Sequence, residues 1–107
     1  MKRFGQVIGI KPEHLGEYTT AHAAVWPGVL AKITECGIRN YSIFLRGTQL
    51  FAYFEHVGDD FEADMARMAA DPETQRWWDW MKPMQEPLAD RGEGEWWATT
   101  EEVFHLD

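Results

Sequence analysis

The 107-residue sequence contains a single cysteine, Cys36. One thiol cannot form an intramolecular disulfide or a cysteine-based zinc cluster. It falls on the apolar face of a helical stretch, which predicts a buried, inert side chain. Basic residues are also scarce: 10 Lys and Arg face 18 Asp and Glu, for a formal net charge of −8. DNA and RNA are therefore excluded as expected partners, because phosphate binding relies on a basic surface that releases counterions. The same balance weighs against a heavily phosphorylated substrate. No apolar run approaches the length of a membrane span, so no membrane partner is expected. In the opening residues, Gln6 and Lys11 interrupt the apolar run too early for a secretion signal, and the expected location is cytoplasmic. A Gly-rich phosphate loop, a Gly-x-Ser-x-Gly elbow and a His-Glu-x-x-His pair are all missing. His14 and His22 lie eight residues apart, but no third ligand has a metal-site spacing, so neither a metal nor a cofactor is expected.

What the chain does have is apolar and aromatic mass. It is 45% hydrophobic and 26% charged, enough to build one core, and residues 1–107 read as a single domain. Six Trp, three Tyr and six Phe make it 14% aromatic. Flat aromatic faces suit the C–H face of a sugar or a planar ring, although they serve equally as core or as a dimer seam.

Residues 3–11 alternate, with Phe4, Gln6, Ile8 and Ile10 on one face, and read as a first strand. Glu13 to Ala24 reads as a helix with Leu15, Tyr18, His22 and Val25 on one stripe. Pro27 should interrupt it and start a second helical piece carrying Leu30 and Ile33, closed by Gly37. Asn40–Arg46 and Gln49–Val57 form a hairpin around Gly47-Thr48. Gly58-Asp59-Asp60 should cap a helix with Phe61, Met65 and Met68 inward, and Asp71-Pro72-Glu73 a further helix with Trp77, Trp78, Met81 and Met84. Residues 85–95 read as a polar loop, and Trp97 to Leu106 as a last strand. Strand, helix, strand, strand, helix, strand is the order of an α+β, ferredoxin-like four-stranded antiparallel sheet with helices on one face. Tyr41, Ile43 and Leu45 alternate with Phe44, and Leu50 and Phe54 with Phe51 and Tyr53. The sheet is thus apolar on both faces, which predicts a homodimer.

Tyr18 and His22, four residues apart on one helix, point the same way. A phenol beside an imidazole can handle protons near neutral pH, or the histidine can simply be satisfied by a backbone carbonyl. Trp77 and Trp78 diverge by about 100° on their helix, so one ring can face the core while the other lines a cleft. Trp80 and Trp96-Trp97 read as anchors near the loop or at the dimer seam, Glu101-Glu102 as solvated surface.

Taken together, His22-Ala-Ala-Val-Trp26-Pro27, Gly37-Ile-Arg-Asn-Tyr41-Ser-Ile, Leu50-Phe-Ala, Gln75-Arg-Trp77-Trp78-Asp-Trp80-Met81 and Glu102-Val-Phe-His-Leu106 resemble the L-rhamnose mutarotase family, in order and over nearly the whole chain. The resemblance implies a dimeric α/β barrel of ferredoxin-like domains and an isomerase that interconverts the α and β anomers of L-rhamnose or a related 6-deoxy aldose. It implies that His22 is the proton donor and that Tyr18, Tyr41, Trp77 and Trp78 bind a small neutral sugar. Residues 85–97, acidic and Gly-rich and then Trp-rich, depart from the family's pattern, which bears on the identity of the sugar. Two other readings compete with this one. One is a cofactor-free monooxygenase or haem-degrading protein of the related dimeric barrels, and the other a non-catalytic sugar-binding dimer.

Overall fold

Alternating side chains make Lys2–Ile10 the first strand, β1, and it becomes the centre of the sheet. A computed structural model, describing residues 1–107, places β2 (Ile38–Arg46) and β3 (Gln49–His56) as an antiparallel hairpin whose β3 pairs with β1 along its length. The other edge of β1 is shared end to end by two short strands. β4 (Gln85–Glu86) pairs at Gly9 and Ile10, and β5 (Ala98–Thr99) at Gln6 and Val7. The order β2-β3-β1-β4 is that of the expected ferredoxin-like sheet.

Four helices cover one face. A 3-10 turn at Pro12–His14 leads into α1 (Leu15–His22), and the extended backbone of Trp26 before Pro27 separates it from α2 (Pro27–Glu35). Gly37, at φ +83°, reverses the chain into β2. The remaining two helices, α3 (Phe61–Ala70) and α4 (Pro72–Met81), start at side-chain caps. Asp60 accepts from the Ala63 N–H at 3.0 Å, and Asp71 from the Thr74 N–H at 2.9 Å.

The main core gathers Ile8, Ile10 and Leu50 from the sheet with Tyr18, Val29, Trp77 and Met81 from the helices. A second cluster holds Cys36, Ile38, Phe54 and Met68, so the thiol is buried as expected. In α2 the inward residue is Val29, not Leu30, which is exposed. Hydrophobic order and helical phase both allow either, and the packing of α2 against α4 selects Val29.

Two readings of the C-terminal third need correction. Residues 85–95 are not all loop, since Gln85 and Glu86 form β4 and Gln85 is buried. The last strand is only Ala98–Thr99, and residues 100–107 have no regular structure. Val103, Phe104 and Leu106 stand almost fully exposed, with Val103 at 89%. A strand needs a neighbouring ladder, and past Thr100, whose N–H still bonds Gly5 O, this tail meets none within its own chain.

β4 sits where it does because position 9 has no side chain. A Cβ on Gly9 would lie 2.6 Å from the Glu86 carbonyl oxygen, a backbone atom that cannot step aside. Gly9→Ala should therefore displace β4 and cost roughly 1–3 kcal/mol, read as a lower midpoint of denaturant unfolding. Gly16→Ala, where a Cβ meets nothing within 4 Å, should instead stabilise by about 0.4–1 kcal/mol.

Candidate functional site

Between the sheet and the helices lies a cavity of about 440 Å³ with a largely hydrophobic lining. The proton-donor and sugar-binding candidates of the sequence, Tyr18, His22, Tyr41, Trp77 and Trp78, all lie in its wall.

Tyr18 and His22, one turn apart on α1, stack with ring centroids 4.2 Å apart. His22 Nδ1 lies 2.9 Å from the Tyr18 backbone carbonyl oxygen. That oxygen can only accept, so Nδ1 carries the hydrogen. Nε2 has no partner within the chain and is left to exchange a proton. The bland expectation for this histidine, a ring satisfied by a carbonyl, thus holds for one nitrogen and not the other. Burial pushes the His22 pKa below its ordinary value, against the opposing effect of the carbonyl, and favours the neutral ring at pH 7.

The imidazole is held by a chain of aromatic contacts. Trp77 meets it edge-on at 5.4 Å, Trp26 meets Trp77 at 5.2 Å, and Trp80 stacks on Trp26 at 5.9 Å. Trp80 donates to Glu17 at 2.7 Å, which ties this stack back to α1. Trp26 and Trp80 therefore support the site from behind.

Tyr41 reaches the cavity because β2 bulges. Between Arg39↔Glu55 and Ser42↔Tyr53, β2 advances three residues while β3 advances two. The extra residue resets the alternation, so that Ile38 and Ile43, of opposite parity, both face the helices. Asn40 takes the left-handed conformation at φ +51°, which asparagine tolerates, and its amide donates to Glu55 at 2.7 Å. Tyr41 then packs on Phe54 at 5.5 Å. Its ring keeps 42% of its surface accessible beside the open cavity, yet the hydroxyl is crowded by protein. That desolvation, with a smaller contribution from Tyr18, pushes its pKa up to about 12. Burial also raises the Tyr18 pKa, partly offset by a hydrogen bond from Gln85. Both phenols stay protonated near neutrality and can act as hydrogen-bond donors.

Trp77 is 5% exposed and belongs to the core, whereas Trp78 is half-buried and has more open surface. Lys82 Nζ lies 5.5 Å from the Trp78 ring and 5.7 Å from that of Trp96.

Gln85, Trp96 and Gln6 also line the cavity, and sequence reasoning did not assign them to a site. For Gln6 a signal was available: it is the one polar residue among Phe4, Ile8 and Ile10 on the inward stripe of β1. Gln85 had none, because two residues of strand within a polar stretch have no pattern to read.

A titratable imidazole between neutral phenols and indole walls, on a ferredoxin-like scaffold, is equipment suited to moving protons on a small uncharged ligand. Relatives narrow this further. Residues 3–106 match the family model described as L-rhamnose mutarotase. The chain is 37% identical over 109 residues to an L-rhamnose mutarotase of Oceanobacillus iheyensis, and 40% identical over 111 residues to one of Lactiplantibacillus plantarum. Each match spans 100% of both chains. The chain belongs to the L-rhamnose mutarotase family, and mutarotases are isomerases. A crystal structure of an L-rhamnose mutarotase from Formosa agariphila superposes with a TM-score of 0.77 at 22% identity, covering 100% of both chains. Tetracenomycin F2 cyclase from Streptomyces glaucescens follows at 0.73 and 18%, covering 100% of this chain and 98% of that one. At these identities the likeness is one of fold.

Proposed function

We propose that this chain interconverts the α and β anomers of L-rhamnose, or of a closely related 6-deoxy aldose, with His22 as the group that carries the proton. The observation that supports this most is the free Nε2 of a ring fixed in one tautomer at the cavity wall. Neutral at rest, Nε2 takes the proton of the anomeric hydroxyl. As C1–O5 breaks and C1=O1 forms, the imidazolium gives the proton to the ring oxygen O5. Rotation about C1–C2 and the reverse sequence close the other anomer. No electron or phosphoryl group moves, and the proton count balances.

Tyr18 and Tyr41 donate to sugar oxygens, while Trp77 and Trp78 offer apolar surface to the C–H face and the C6 methyl. A cavity of about 440 Å³, near the lower end of the ~300–1,000 Å³ usual for ligand sites, suits one pyranose better than a polycyclic ring system. Exchange between the anomer signals of L-rhamnose, followed by NMR, tests the activity. The protein should accelerate it over buffer, and unchanged exchange at saturating sugar would contradict the reading.

The working form in this reading is a cytoplasmic homodimer. No helix is long and apolar enough to cross a membrane. On the sheet face turned away from the helices, Phe44 is 63% exposed and Phe51, also exposed, lies opposite it in the register. A second copy covering both is the economical remedy for so much exposed hydrocarbon. Phe44→Glu should convert a species of twice the chain mass into monomer in sedimentation experiments. A wild-type chain that sediments as monomer at all concentrations would sink the dimer.

A further inference from the structure

Residues 85–97 build a relay onto Tyr18. Gln85 is buried, with its backbone pinned where β4 meets β1. The segment after it folds on itself: Arg91 donates to the carbonyls of Leu88 and Glu95, and Glu95 accepts from the Gly92 N–H. This returns the chain so that the Trp96 indole meets the Gln85 side chain.

An indole N–H can only donate, so the amide atom 2.7 Å from Trp96 Nε1 is the oxygen Oε1. The other end of the amide is then the NH₂ group, and it donates to the Tyr18 hydroxyl oxygen at 3.1 Å. A flipped amide would set two donors against each other at Trp96. With its oxygen already accepting from Gln85, Tyr18 cannot turn its own proton that way.

We propose that Gln85, held in register by Trp96, is a positioning residue that makes Tyr18 an obligate hydrogen-bond donor into the cavity. The inference rests on the mutarotase reading for what receives that hydrogen bond: an oxygen of the sugar, which is then recognised as an acceptor. The arrangement stands without that reading, and it gives the 85–97 segment a task, namely delivering an indole N–H to one amide oxygen.

The test is a double-mutant cycle on anomer exchange of L-rhamnose. Gln85→Leu should lower kcat/KM by roughly 3- to 10-fold, the size of one lost neutral hydrogen bond. In a Tyr18→Phe background the same change should have almost no further effect. Trp96→Phe, which keeps a ring and removes only the N–H, should reproduce part of the loss. Equal losses from Gln85→Leu in both backgrounds would overturn the proposal, because the residue would then act on the fold and not through Tyr18. A second readout needs no activity. In protein labelled at tyrosine Cζ, the Tyr18 resonance should titrate at higher pH in Gln85→Leu than in wild type. An unchanged titration would overturn the proposal, whereas absent catalysis with a shifted titration would overturn the mutarotase reading and leave the relay.

Discussion

His22→Ala should reduce the protein's acceleration of L-rhamnose anomer exchange by about 10²–10⁴-fold, the usual contribution of a positioned acid–base group. The fold should survive, since the ring lies at the cavity wall and only one of its nitrogens is bonded to the chain. The pH profile carries the same claim. Burial lowers the His22 pKa, so the neutral form that starts the cycle persists below the ordinary histidine value before kcat/KM falls on the acid side. Stability follows the same sign. Between the lowered folded value and the unfolded value of 6.5, the unfolded chain binds the proton more readily. The contribution of the neutral ring is therefore complete above 6.5 and is lost as pH falls toward the folded value. A His22→Ala variant as fast as wild type would remove the acid–base assignment.

Trp77→Ala should have the largest effect on stability, about 3–5 kcal/mol, as expected for emptying a buried indole site. At 5% exposure the ring packs in the same cluster as Val29 and Met81 and also buttresses the His22 ring. Against a total stability of about 5–15 kcal/mol for a domain, such a loss brings the chain close to its unfolding threshold. Trp78→Ala, truncating a half-buried ring, should cost clearly less stability and act mainly on sugar affinity. Chemical denaturation and sugar titration of both variants check the contrast, and equal stability losses with unchanged affinity would place both rings in the core.

Much of this was legible in the residues because the signals are local. Asp60 and Asp71 cap their helices, Gly47-Thr48 turns its hairpin, and Pro27 breaks the helix where Trp26 is forced into an extended conformation. The i, i+4 spacing of Tyr18 and His22 is sufficient to bring their rings together. What was not legible depends on partners distant in sequence. Which nitrogen of His22 is free follows from a carbonyl contact that no periodicity shows. The burial of Gln85 follows from its pairing with Ile10 and from an indole eleven residues further on. The tail reads as strand because Val103, Phe104 and Leu106 look like one, and within a single chain no ladder receives them. Trp77 and Trp78 could not be told apart by phase alone, since the choice of core-facing ring is made by the packing of α4 against α2 and the sheet.

The most direct measurement is a crystal structure of the protein soaked with L-rhamnose. The sugar should occupy the cavity beneath α1 with its anomeric or ring oxygen ~2.6–3.2 Å from His22 Nε2, the reach of a proton transfer. A hexose bound elsewhere, or one in the cavity with Nε2 turned away from both oxygens, would contradict the account.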